Sequence, residues 1–201
     1  MLDSIFKVVF LLGLVAAAVI RAMWVARARR EQRRRPGAVA VDRNAPAEKP
    51  LLFLTFLGMQ VIPLVCVFTR WLGFADYHVW RSLGWGGAAL FAVALWLLWR
   101  SHADLGRSWS PTVEVRQEQS LVTHGVYRRV RHPMYTAHLL WGVAQVLLLQ
   151  NWIAGPAFLV SQIPLYVLRI PREERMMLEH FGEEYRTYMS RTGRLIPRPW
   201  G

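Results

Sequence analysis

The stretch HGVYRRVRHPMYTA, residues 124–137, sets Arg131, His132 and Pro133 at the head of an apolar run. Proline is favoured at the first helical position because it has no N–H to leave unpaired, so a helix starting at Pro133 puts Arg131 and His132 at the positive end of its dipole. Two kinds of chemistry suit such a cluster. In one, the arginines bind lipid phosphates and His132 caps the turn. In the other, the cluster opens onto a ligand. Tyr135, His138, Gly142 and Gln145 point to the second, since their spacings of 3, 4 and 3 place them on one helical face. A polar stripe at membrane depth should face protein or a cavity.

Gln162, Tyr166 and Arg169 form a second stripe, at spacings of 4 and 3, although Pro156 and Pro164 argue against a straight helix there. Arg169 is most simply a residue snorkelling from a helix end. The segment REERMMLEHFGEEYRTYMSR, residues 172–191, is too charged to cross a membrane and predicts a cytoplasmic helix whose apolar stripe is Leu178, Phe181, Tyr185 and Tyr188. Glu173 and Glu174 fit the dipole at that helix's start. Glu174 also lies four residues before Leu178 on the same face, which suits a buried, partnered carboxylate. Gly182, inside this predicted helix, costs about 1 kcal/mol relative to alanine, and close packing or a backbone approach is its expected reason.

These residues need elements to hold them, and composition says where those elements sit. The chain has 201 residues, is 54% hydrophobic, and carries a formal charge of +12 from 25 basic and 13 acidic residues. High hydrophobicity with concentrated basic charge describes a membrane protein with basic loops and excludes a soluble nucleic-acid binder, whose basic residues would interleave with polar ones. Cys66, the lone cysteine, sits in an apolar segment and has no assigned role.

Five segments are expected to cross the bilayer, near residues 5–25, 51–69, 83–99, 134–149 and 152–168, giving an all-α integral membrane bundle with a C-terminal cytoplasmic amphipathic helix. The first reads as a retained anchor, because RARREQRRR follows directly behind it. Arg27 to Lys49, Arg100 to Arg131 and the basic tail then fall on one side, which predicts an outside N-terminus and a cytoplasmic C-terminus, with a prokaryotic cell membrane as the expected setting. Trp24, Trp71, Trp80, Trp96, Trp99 and Trp152 fit the interfaces, and residues 30–50 read as a solvated loop. Residues 1–100 form a three-span region and residues 101–201 the expected catalytic region.

SLVTHGVYRRVRHPMY, then RIPREERMMLEHFGEEYRTYMSR, then RLIP strongly resemble the isoprenylcysteine carboxyl methyltransferase family of integral membrane enzymes, from about Leu105 to Pro197. The first hundred residues match only in hydropathy, and Ala137 replaces a glycine common in the family. The resemblance implies S-adenosylmethionine as methyl donor. It implies a cofactor site of Tyr127, Arg131, His132, Pro133, Tyr135, Glu173 and Glu174, with Arg169 toward the reacting group as the catalytic residue that orients the acceptor. The implied partners are a lipophilic methyl acceptor arriving from the bilayer, and membrane lipids, with no nucleic acid, no metal and no obligatory protein partner. A phospholipid, small-amine or thiol acceptor is the nearest alternative. An NADPH-dependent sterol-type reductase is the rival of another class, since that group has a similar R-H-P-x-Y element.

Overall fold

The computed structural model describes residues 2–34, 48–78, 80–106 and 120–198. Seven helices follow in order: α1 (Leu2–Arg34), α2 (Glu48–Phe56), α3 (Ile62–Phe68), α4 (Arg81–Leu105), α5 (Pro133–Leu149), α6 (Ala157–Phe181) and α7 (Glu183–Arg191). The fold is all-α, and among the described residues β-type pairing is limited to two isolated bridges, Asp76 with Asn151 and Val130 with Gly193. Arg35, Arg43, Arg107 and Arg116, with most of the expected solvated loop, lie outside the described residues.

Three of the expected spans are long and apolar enough to cross a bilayer, at Ser4–Glu31, Glu48–Phe68 and Arg81–Leu105. The fourth, α5, has 17 residues. At 1.5 Å rise per residue that is about 25 Å, short of a hydrocarbon core of about 30 Å. The fifth is the apolar first half of α6. One face of α1, carrying Ile5, Val8, Leu12, Val15, Val19 and Met23, is exposed as a lipid-facing stripe. Its other face sends Phe6, Phe10 and Ala17 into a core shared with Phe91 and Leu98 of α4 and Trp141, Ala144 and Leu148 of α5. The Phe10 and Phe91 rings stack at 5.9 Å, and Phe91 lies 5.1 Å from Trp141. Trp24 departs from the expected interfacial belt: it is buried and stacks on His102 at 5.8 Å.

The rod Glu48–Phe68 contains a π-helical turn at Leu57–Val61, where the Ile62 N–H reaches back to Leu57 O. Pro63 accounts for it, because its ring removes an N–H and crowds the carbonyl four residues earlier. The turn leaves Gly58 O to accept Gln145 Nε2 of α5 at 3.2 Å, and the same amide reaches Ala154 O at 2.7 Å.

The expected tight hairpin joins α5 to α6. Gln150 caps α5 in the left-handed region, and Asn151 Oδ1 accepts the N–H groups of Ile153 and Ala154 at 3.0 and 2.8 Å. Its Nδ2 donates to Leu72 O and Asp76 Oδ1, both at 2.7 Å, tying the hairpin to the loop after α3. Gly142 lets the two helices close up, since a Cβ there would overlap Leu159.

The boundary expected between the fifth span and a tail helix is absent. Helix α6 runs unbroken from apolar into charged sequence, through Pro164 and Pro171, as far as Phe181. The break falls at Gly182, at φ +53, whose N–H closes α6 on Leu178 O at 2.9 Å. Close packing does not explain this glycine, because a Cβ there would meet nothing within 4 Å. The positive φ does, since L side chains avoid it.

Candidate functional site

Antiparallel α5 and α6 bring their polar stripes face to face. Gln145 and Gln162 are fully buried, Gln162 Nε2 points to His138 O at 3.5 Å, and Tyr166 OH donates to Tyr135 O at 3.1 Å. The stripes therefore face protein, as polar groups at membrane depth must. Beside them lies a cavity of about 630 Å³. Tyr127, Arg131, His132, Pro133, Tyr135, Arg169 and Glu173 line its polar end, with Tyr185 and Tyr188 of α7. Leu14, Ala17, Leu52, Phe56, Met59, Trp141 and Phe158 form its apolar wall.

Glu173 is the carboxylate on the cavity. Its Oε1 accepts Tyr135 OH at 2.5 Å and Arg169 Nε at 2.9 Å, while Oε2 stands 3.6 Å from His132 Nδ1. Arg169 is thus engaged with its own helix, one turn on, and is not a residue snorkelling to solvent. The His132 ring stacks on Tyr135 at 5.5 Å.

Glu174, 4% exposed, lies behind this layer and is not part of the cavity lining. Arg131 Nε approaches its Oε1 at 3.0 Å, Arg194 NH2 its Oε2 at 2.5 Å, and His132 Nε2 stands 3.4 Å from Oε1 without hydrogen-bond alignment. Burial pushes this carboxyl upward, but the His132, Arg194 and Arg131 contacts outweigh it and hold it at about 2. The expected buried, partnered carboxylate is therefore present. Arg131 NH1 is occupied too, by Thr192 O at 2.5 Å and Met189 O at 3.2 Å.

A strap from the C-terminal segment completes this arrangement. The Arg131 and His132 N–H groups donate to Gly193 O and Arg194 O at 2.9 and 3.1 Å, and Gly193 N–H returns to Arg129 O at 3.1 Å. Thr136 Oγ1 reaches Leu195 O at 2.6 Å. Tyr188 OH donates to Tyr127 O at 2.6 Å. Burial first, and for Tyr127 the neighbouring Tyr188 next, pushes the Tyr127 and Tyr188 phenols up, so both are neutral surfaces at physiological pH.

Seven of the eight expected site residues therefore meet at the cavity and the eighth, Glu174, braces them from behind. Sequence reasoning missed Thr192, which falls between the matched stretches, and Arg194, whose only signal was the short RLIP match. It also missed Arg21, which lines the cavity from α1 and shows in sequence as one charge inside an apolar run.

The fold and cavity define an integral membrane helical bundle with a polar pocket opening into an apolar one. That architecture matches the eukaryotic intramembrane Ras methyltransferase ICMT (isoprenylcysteine carboxyl methyltransferase), with a TM-score of 0.52 and 24% identity, over 78% of this chain and 54% of that one. Residues 87–179 match the model of the isoprenylcysteine carboxyl methyltransferase (ICMT) family. Protein-S-isoprenylcysteine O-methyltransferase B of Arabidopsis thaliana is 37% identical over 94 residues, 46% of this chain and 48% of that protein. The Saccharomyces cerevisiae protein-S-isoprenylcysteine O-methyltransferase is 34% identical over 94 residues, 46% of this chain and 39% of that protein. The chain spans about half the length, or less, of the curated relatives it matches. These relatives are eukaryotic and lend no support to the prokaryotic setting expected above.

Proposed function

We propose that this protein is an S-adenosylmethionine-dependent methyltransferase acting on a lipophilic acceptor with a free carboxylate, of the isoprenylcysteine type. The observation that carries this reading is a single cavity in which Glu173, His132, Tyr135 and Tyr127 stand at one end and Leu14, Leu52, Phe56 and Phe158 at the other. A water-soluble donor and a lipid-soluble acceptor can meet only in such a place.

The residues suit the donor. An ammonium and a cationic sulfonium call for a carboxylate and a dry aromatic surround, and Glu173 with the neutral rings of Tyr127, Tyr135 and Tyr185 supplies both. His132 presents its Nδ1 beside Glu173, 3.6 Å from Oε2, while its Nε2 faces Glu174 Oε1 at 3.4 Å behind the lining. When bound, the donor supplies an electrophilic methyl carbon, and its transfer to a carboxylate oxygen leaves a methyl ester and a neutral thioether without moving a proton. The protein's own part is alignment and exclusion of water. Arg169 and Tyr135 fix the Glu173 carboxylate, Glu174 fixes Arg131 and His132, and Arg169 orients the acceptor.

Residues 101–201 carry the donor site in this reading, and residues 1–100 contribute membrane spanning and the apolar wall. The C-terminal segment lies in the cytoplasm and the N-terminus outside, as the charge bias requires. A cysteine at Ser190, an exposed position on α7, in a background lacking Cys66, tests this. Labelling by a membrane-impermeant reagent from outside intact cells would reject the orientation.

The function is tested by giving the purified protein methyl-labelled S-adenosylmethionine with an S-farnesylated cysteine or with phosphatidylethanolamine. Base-labile label on the cysteine derivative is the expected result. Label on the phospholipid instead, or binding of NADPH without binding of S-adenosylhomocysteine, would overturn it.

A further inference from the structure

Of the arginines lining the cavity, Arg131 is paired with Glu174 and Arg169 with Glu173, at 3.0 and 2.9 Å. Arg21 is different. Among the described residues no carboxylate lies within ion-pair distance of it, although it belongs to the span Ser4–Glu31, where an unpaired cation is costly. Arg21 therefore adds to the cavity a cation that no carboxylate among the described residues pairs.

The place of Arg21 on α1 adds a second observation. Leu14, Ala17 and Ala18 precede it at spacings of 3, 1 and 3, on the face that lines the cavity, and Leu52 and Phe56 of α2 line it as well. Helix α1 packs on α4 and α5 whereas α2 packs on α6, so the two helices bound the apolar part from separate supports. An apolar trough that ends at an uncompensated guanidinium has the form of a lipophilic anion.

We propose that Arg21 is the anchor for the acceptor's carboxylate, with the acceptor's apolar chain lying along Leu14, Ala17, Ala18 and Leu52. This rests on the methyltransferase reading and deepens it, because it assigns carboxylate specificity to α1, outside the motifs that hold the donor. Arg169, its charge already engaged by Glu173, acts on the acceptor second. The competing source of an anion is a lipid phosphate, and the competing role is snorkelling toward the headgroups near Trp24.

The test compares binding of N-acetyl-S-farnesylcysteine and of its carboxamide, by calorimetry in phospholipid-free detergent, for the wild type, Arg21→Met and Arg21→Lys. Arg27→Met serves as the folding control, since Arg27 stacks over Trp24 at 5.2 Å and does not line the cavity. The wild type is expected to prefer the carboxylate about ten-fold or more. Arg21→Met is expected to lose that preference, Arg21→Lys to recover part of it, and both to bind S-adenosylhomocysteine as the wild type does. Retention of the preference by a folded Arg21→Met protein would overturn the proposal and leave Arg21 as a snorkelling residue. Loss of co-purified phospholipid from Arg21→Met, with no carboxylate preference in the wild type, would make it a lipid anchor and equally overturn the proposal. Failure of the wild type to bind S-adenosylhomocysteine would instead bring down the methyltransferase reading beneath it.

Discussion

On the α5–α6 side of the cavity, Glu174 alone has Arg131, Arg194 and His132 within 3.4 Å, and the layer in front of it joins Tyr135, Arg169 and Glu173. On the α1–α2 side the lining is Leu14, Ala17, Ala18, Leu52, Thr55 and Phe56, with Arg21 as the single charged side chain among the described residues. The first wall fixes atoms to hydrogen-bond precision and tolerates few replacements. The second fixes only shape, and apolar shape is preserved by many residue combinations. A small polar donor needs the first kind of wall, and a long flexible acceptor is served by the second.

The difference is most easily broken at Arg131. Removing one partner of a buried ion pair leaves the other uncompensated, so Arg131→Ala is expected to destabilise the protein by about 3–5 kcal/mol. Thermal unfolding in detergent measures it, and an unchanged midpoint would mean that Glu174 needs no clamp. Glu173→Gln comes next, with S-adenosylhomocysteine affinity expected to fall by about one to two orders of magnitude in calorimetry. Glu174→Gln should weaken the same binding through displaced Arg131 and His132, and with a larger loss of thermal stability. Equal behaviour of the two variants would erase the distinction between the layer on the cavity and the layer behind it.

Ala18→Trp attacks the other wall. Filling the trough should raise the KM for a farnesylated acceptor by about ten-fold while S-adenosylhomocysteine binding stays the same, because a remote contact of this kind serves acceptor binding alone. If donor binding falls too, the two walls are not separable. Acid gives a gentler probe of the polar wall. The Glu174 carboxyl is held at about 2 against an ordinary 4.5, so it contributes stability fully above pH 4.5 and loses it as pH falls toward 2. Unfolding midpoints across that window should decline less steeply in Glu174→Gln than in the wild type. Smallest is Gly182→Ala, expected to cost about 1 kcal/mol through its positive φ, with donor and acceptor binding unaltered.

The same contrast explains what could be read in advance. Arg131, His132, Tyr135, Arg169 and Glu173 stood out because ionisable groups at helical spacing beside apolar runs have few other reasons to exist, and the fold class followed from those runs. Arg194 did not stand out, since a basic residue in a basic tail has no local signature of the pair it makes 20 residues back. Arg21 was hidden by the run of arginines that follows it. The helix boundary at Gly182 was misread because helical periodicity continues across it, and only a backbone angle distinguishes a tolerated glycine from a required one.

The strap that runs from Thr192 to Leu195 also imposes an order of assembly. Its partners at Arg129, Arg131, His132 and Thr136 leave the ribosome about a span and a half earlier, and α5 and α6 can enter the bilayer without it. Until the strap arrives, Arg131 lacks its carbonyl acceptors and Glu174 lacks Arg194, so two charges face a half-built pocket. A protein cut short before residue 192 is expected to keep the α5–α6 hairpin while losing the strap's hydrogen bonds to Arg129, Arg131, His132 and Thr136, a latch left undone.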